Sequence, residues 1–441
     1  MLLSFSMRNF RSFVDEAVLD LASSTLRTNV PRAGQSWADV SERVVAIYGA
    51  NAAGKTTVLE AIWALSLALR APGSNAIWQP SADGGERKPI EFKVDFVAAA
   101  VRYVYEVHAA EWGVSYEALH SYPKGTRRLV FSRSREEEAA ETRFERGSTL
   151  AGPTSEVLRI TRPTALFLAT AHTYGHTGLV AAARALVADL GVSFITFRDR
   201  QDEAVLRRVL MEMLDAPAEQ IGLVSALLRA ADVGISSVEV RKEEVPEEVW
   251  KRVRRLLETL REGVDGFDQV DFPRLQDVVT FRHTGKDGKP FLLPVHSESA
   301  GTITWLTTAW HALNALRDGG VLLIDELDAS LHPELARYIV KLFLLPQLNP
   351  HGAQLIFTTH DVSLLSNAPA RTLEPRNVWF VEKDAAGRSE LFCLDDFDNR
   401  AGNNNERRYL AGQFGATPEI DDSLLLRYLA STAAEEVAVG A

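Results

Sequence analysis

Leu3, Phe5 and Met7 alternate with polar neighbours, and the run from Arg43 to Tyr48 leads directly into glycine, so both segments predict sheet strands. Val58, Leu59, Ile62, Leu65 and Leu69 then follow helical spacing from Lys55, until Pro72-Gly73 ends the element. Residues 90 to 120 alternate over at least two runs and predict an antiparallel hairpin or meander. Between Arg127 and Arg146 both signs of charge mix with few large apolar residues, which predicts an exposed connection. From about Ala181 to Glu262 helical patterns dominate, in Glu203 to Leu214, Ile221 to Ala231 and the basic Trp250 to Leu260. A strand pair is expected at Val278 to His283 and Phe291 to Val295, turning at Lys286 to Lys289. Ile303, Leu306, Trp310, Leu313 and Leu316 mark a helix stopped by Gly319-Gly320. Val321 to Ile324 is a wholly apolar strand of the buried, parallel kind; a helix at Leu335 to Phe343 and strands at Gln354 to Thr358 and Val378 to Val381 follow.

This pattern predicts an α/β head interrupted by two insertions. The head takes residues 1–180 and 265–441, with a β-rich part at about 88–135, and 181–264 form a helical insertion or lid. At 441 residues the chain exceeds the usual span of one core, which suits that division. A net charge of -11 argues against a surface that coats nucleic acid non-specifically. Cys393 is the only cysteine, so neither an internal disulfide nor a cysteine zinc cluster can form, and a reducing cytoplasm fits. The start lacks the apolar core of a signal peptide and no stretch is long enough to span a bilayer, so any membrane role would need a partner.

Between the strand at 43–48 and the helix after it lies Gly49-Ala50-Asn51-Ala52-Ala53-Gly54-Lys55-Thr56, which fits the phosphate-loop pattern G-x-x-x-x-G-K-[ST] in its required strand and helix context. Backbone amides there face phosphates, Lys55 adds a point charge, and the Thr56 hydroxyl suits Mg2+. Thr57 continues the helix start. The apolar strand at 321–324 ends in Asp325-Glu326. Asp325 is placed to hold the metal through water, and Glu326 to orient or deprotonate the water that attacks a γ-phosphate. ATP and Mg2+ are the expected ligands, and hydrolysis the expected reaction.

Glu298-Ser299-Ala300-Gly301-Thr302, just before the helix that leads into the acidic strand, resembles in position the signature motif of ABC-type ATPases. Asp328 stands where that family has its D-loop, and His360 where it has its switch histidine. The resemblance implies that Ser299 and Gly301 meet the γ-phosphate held by a second copy, that His360 contacts it in catalysis, and that ATP joins two heads. The 270-residue separation of Lys55 and Asp325, and a signature lacking the Leu-Ser-Gly-Gly-Gln form, depart from transporter ATPases. Asn9-Phe10-Arg11-Ser12-Phe13, with Asn51, is instead similar to the SMC, RecF and OLD group, and implies that Asn9 and Arg11 belong to the ATP site. Through Glu298 to Thr302, Leu322 to Pro333, Gln354 to Asp361 and Tyr409 to Gly415, the chain most resembles bacterial AAA-type, OLD-like ATPases of phage-defence operons. That implies a homodimer or higher homo-oligomer controlling a separate effector, a nuclease or toxin. No Q-loop residue is assigned.

The OLD resemblance also raises a Toprim nuclease, which needs clustered acids holding Mg2+. Only 81 residues follow His360, and Glu382, Asp384, Asp395, Asp396 and Asp398 read as solvated surface, so any nuclease is expected on another chain. His172 and His176 have a metal-like spacing, but the segment between them is a poor helix and no third ligand presents itself. Lys251, Arg252, Arg254 and Arg255 read as a solvated helix face. Two rival readings stand beside the first. One is a RecF-like repair or recombination ATPase binding DNA directly; the other is a transporter motor subunit.

Overall fold

A computed structural model describes the chain apart from residues 24–25, 27, 74–75, 84–87, 197–198, 200–201, 232–233, 245–246, 262–274, 286, 369, 399–402, 419–421 and 424–441. Its N-terminal half carries β1 (Leu2–Arg8), β2 (Ala17–Asp20), β3 (Val44–Tyr48), α1 (Lys55–Arg70), β4 (Ile90–Ala98), β5 (Val101–Ala110), β6 (Gly113–Ser121), β7 (Arg128–Ser134) and β8 (Arg143–Arg146). Helices α2 (Thr154–Ile160), α3 (Phe167–Thr173) and α4 (Val180–Arg184) lead to β9 (Ser193–Ile195). Next come α5 (Glu203–Leu214), α6 (Ala218–Ala230), β10 (Ile235–Glu244), α7 (Glu247–Arg261), β11 (Leu275–Thr284) and β12 (Pro290–Pro294). The chain continues through α8 (Ala300–Asp318), β13 (Val321–Ile324), α9 (Pro333–Leu344), β14 (Gln354–Thr358), β15 (Val378–Lys383), β16 (Ser389–Cys393) and α10 (Asn405–Leu410). The α/β class expected from the sequence is what these elements form.

The central sheet runs β16-β15-β3-β14-β13-β9, parallel except for the edge strand β16. Alternate side chains of its middle strands enter two cores. Val45, Ile47, Leu323 and Ile356 meet α1, whereas Ala46, Tyr48, Leu322, Ile324 and Phe357 face Trp305 and Leu306 of α8 and Ile339 and Phe343 of α9. Burial on both faces explains why these strands read as continuous apolar runs.

A second, antiparallel sheet, β2-β1-β4-β5-β6-β7-β8, packs on the other side of α1. Gln354 joins the two sheets: its amide donates to Leu2 O at 2.8 Å and accepts from Leu2 N at 2.7 Å. The exposed connection expected between Arg127 and Arg146 is instead the β7–β8 hairpin. Its alternation is hidden because an inward position is Arg133, which donates to the fully buried Glu117 at 2.7 Å. Glu117 also accepts from Phe167 N and Leu168 N, so one buried carboxylate caps α3 against the sheet.

The third sheet, β10-β11-β12, follows α5 and α6. Helices α5 and α6 lie where the apolar spacing put them, but β10 is a strand inside a stretch read as helical. Ile235 and Val238 of β10 are buried in one cluster with Val279 and Phe281 of β11, and that tertiary pairing overrides the helical surroundings. Lys286, the first residue of the predicted turn, lies outside the described residues; Gly288 N donates to Gly285 O at 3.0 Å within that turn.

Candidate functional site

The parallel strands β3, β13 and β14 end at one edge, and their C-terminal loops converge there, where ligands of open α/β sheets bind. A cavity of about 530 Å3 lies at that edge, and Lys55, Thr56, Asp325, Glu326, His360 and Arg11 all line it. Its floor is the loop 49–54, which depends on two glycines. Gly49, at φ 154°, brings its backbone so near β15 that a Cβ would stand 2.3 Å from Val381 O. Gly54 has φ 114°, and a Cβ there would meet Ser389 Oγ at 2.7 Å and Ser12 Oγ at 2.9 Å. Asn51 and Ala52 are exposed at the loop's crest, with Ala52 at φ 60°, and Ala53 is buried beneath it. Thr57 is buried one residue beyond Thr56.

Lys55 opens α1 and is only 7% exposed. Its ammonium donates to Gly49 O at 3.0 Å and Ala50 O at 3.1 Å, so it curls back over its own loop. Burial pushes its pKa down, against the attraction of Asp325, Glu326 and Asp328. Across the cavity, Thr56 Oγ1 lies 3.0 Å from both carboxylate oxygens of Asp325. Two oxygen ligands from opposite elements therefore stand together, the hard donor set that Mg2+ takes from protein when phosphates and water complete its shell. Among the described residues no group of three or more His, Cys, Asp or Glu is arranged to hold a metal, and Mg2+ beside a phosphate needs none.

Thr358, at the end of β14, was given no role by its sequence context, yet its hydroxyl donates to Asp325 Oδ1 and accepts from Glu326 N, both at 2.7 Å. It is fully buried and fixes the two acids relative to each other. Glu326 is exposed and held at φ 51°, a backbone region that costs a non-glycine residue free energy and clusters at functional sites. Asp328 accepts from Thr359 Oγ1 at 2.6 Å and His360 N at 3.2 Å, so it braces the histidine loop of its own chain and stands outside the cavity lining. His360 sits at the rim. Desolvation of its ring, with the Lys55 charge second, pushes its pKa down, which favours the neutral imidazole.

Arg11 has φ 50° and pairs with Glu60 of α1, one turn beyond Thr56, while its Nε donates to Gln79 Oε1 at 2.7 Å. Asn9 points elsewhere. It is 2% exposed, its amide donates to Lys88 O at 2.9 Å, and it lines a separate pocket with Val14 and Lys88, not this cavity. Lys383, at the end of β15, lines the cavity without having been singled out by any motif. The Tyr409 hydroxyl donates to Ala416 O at 3.1 Å and accepts from the Gly49 backbone, so α10 braces the loop from behind; burial pushes the Tyr409 pKa up to about 12.

Ser299 and Gly301 are not brought to this cavity. Ser299 caps the 19-residue α8, its hydroxyl accepting from Thr302 N at 3.1 Å, and is exposed there. A Cβ on Gly301, which is half-buried, would make ordinary contacts with Ser330 O at 3.5 Å and Ser299 Oγ at 3.8 Å. His172 and His176 do not converge on a ligand set; His176 is fully buried and meets Thr154 Oγ1 at 3.0 Å. Lys251, Arg252, Arg254 and Arg255 are exposed on α7. The C-terminal acids have local tasks: Glu382 accepts from Ala416 N, Asp384 from Ala386 N and Arg388 N, and Asp396 from Cys393 N.

Among the described residues no helix is long and apolar enough to cross a membrane. No curated protein matches the chain in sequence. Of solved structures, the SMC head domain from Thermotoga maritima is similar at 11% identity and TM-score 0.40, over 89% of this chain and 98% of that one. Residues 44–366, from the first strand of the central sheet past the histidine loop, match the family described as "AAA domain, putative AbiEii toxin, Type IV TA system", and the chain belongs to that family.

Proposed function

We propose that the protein is an ATPase that binds ATP on the loop 49–56, hydrolyses it with Glu326 and His360, and associates through composite sites completed by a second copy. The observation that carries this reading is the meeting of Thr56 and Asp325 over the Lys55 loop, at the C-terminal edge of a parallel sheet. Backbone amides of residues 50–57 and the Lys55 ammonium would take the phosphates, with Lys55 exchanging its two carbonyl acceptors for phosphate oxygens. Thr56 and Asp325 would hold Mg2+, whose charge neutralises β- and γ-phosphate oxygens. Glu326, exposed at the rim beside Asp325, orients water or accepts its proton, and the neutral His360 ring contacts the γ-phosphate. Arg11 contributes a further cation once it leaves Glu60.

Association follows from what the single chain leaves incomplete. The N-terminus of α8, with exposed Ser299 and half-buried Gly301, is suited to a phosphate yet lies outside its own chain's cavity. A second copy, facing the first, would present that terminus to the bound γ-phosphate. The assembled state then acts on a separate effector, a nuclease or toxin. The family's description, which names a toxin of a type IV TA system, supports a role in such a system.

Glu326→Gln tests the catalytic assignment. The expected outcome is ATP affinity within about 3-fold of wild type and turnover lowered on the order of 100-fold or more, as loss of a water-positioning group produces. Unchanged turnover would remove Glu326 from the mechanism.

A further inference from the structure

Glu298, the residue before the α8 cap, does not point to solvent. Its carboxylate accepts from His283 Nε2 of β11 at 2.6 Å, and the two side chains are 7% and 13% exposed. His283 is itself fixed: its ring stacks on Phe291 of β12 at 5.3 Å and 19°, and its backbone pairs with Ile235 of β10 and Phe291 of β12. Only one short 3-10 turn, Val295–Ser297, separates β12 from Glu298, whose N–H donates back to Val295 O at 3.0 Å. The cap is therefore tied to the small sheet twice, by the chain through β12 and by the His283–Glu298 hydrogen bond through β11.

Farther along α8 the same insertion is fastened again. Trp305 Nε1 donates to Leu227 O at 3.2 Å, Trp310 Nε1 to Glu212 at 2.7 Å, and Asn314 accepts from Gln220 at 2.6 Å. These contacts hold the body of the helix against α5 and α6, whereas the His283–Glu298 hydrogen bond acts at its N-terminal end. A charge-assisted bond this sheltered from water is worth more than an exposed pair and fixes geometry as well as position.

We propose that His283 is a positioning residue for the composite site: through Glu298 it sets Ser299 and the α8 N-terminus for the γ-phosphate bound by a second copy, and so makes ATP-driven association depend on the β10-β11-β12 sheet. This rests on the composite-site reading above. Because the pair serves the other protomer's nucleotide, breaking it should leave nucleotide binding by its own chain intact.

The test compares wild type, His283→Ala and His283→Gln, each in the full chain, by ATP titration, ATP-dependent sedimentation and turnover. His283→Ala should keep ATP affinity within about 2-fold and lose 10-fold or more in association and turnover, a loss of about 1.4 kcal/mol for each tenfold. His283→Gln, which retains a donor near the Nε2 position, should recover most of both. Mixing His283→Ala with Lys55→Ala should restore turnover that neither has alone, since the mixed pair contains one site with an intact loop and an intact cap. A merely structural role predicts no such complementation. Should His283→Ala misfold by circular dichroism, Glu298→Ala mixed with Lys55→Ala gives the same reading. Undiminished association in His283→Ala overturns the inference alone, whereas a wild-type chain that does not associate with ATP overturns the composite site beneath it.

Discussion

At the scale of single residues, the site depends on groups that hold other groups. Thr358 satisfies the Asp325 carboxylate and the Glu326 N–H together. Thr358→Val keeps the shape and removes both bonds, which should cost about 1–3 kcal/mol for the buried groups left unpaired. Thermal unfolding would register that loss, and turnover should fall on the order of 10-fold while ATP affinity changes little. In the proposed mechanism His360 sets the acid side of the pH dependence. Desolvation pushes its pKa down, so the neutral ring is kept to lower pH than in an ordinary histidine and is lost as pH falls through that lowered pKa. The acid loss of turnover should therefore begin at lower pH than an ordinary histidine would give, and His360→Ala should abolish that acid limb along with most of the rate; an acid limb that persists in His360→Ala would contradict the assignment. The phosphate-loop residues and the two acids were legible because their spacing is local. Lys383 was not, and Thr358 and Tyr409, though within segments that carry the resemblance, had no role assigned, since each reaches the site from a distant element and follows no spacing rule. Asn9 shows the converse, a residue carried over by resemblance that lines a separate pocket.

At the scale of elements, the loop between β3 and α1 is set by its contact with β15. Gly49→Ala would push a methyl group into Val381 O, 2.3 Å away, so loop or strand must move. ATP binding should weaken by more than 10-fold in a calorimetric titration, and an unaltered affinity would show that the loop is not held by β15. The strands buried on both faces were readable because nothing interrupts their apolar runs, and α5 was readable from its amphipathic spacing. The β7–β8 hairpin was hidden because Arg133 occupies an inward position and finds its partner, Glu117, on the neighbouring strand β6. The strand β10 was hidden because its pairing with β11 crosses a long stretch of intervening chain.

At the scale of the whole molecule, two sheets enclose α1 while α8 runs from the exposed cap at Ser299 to the turn before β13. One helix thus joins the surface proposed to meet a second copy with the strand that carries Asp325 and Glu326. The central claim is that ATP assembles this protein and that hydrolysis releases it. Sedimentation velocity of Glu326→Gln with Mg2+ and either ATP or ADP tests that claim most directly. The account predicts a stable dimer or larger homo-oligomer with ATP and dissociated chains with ADP; the same monomeric species with both nucleotides would contradict it.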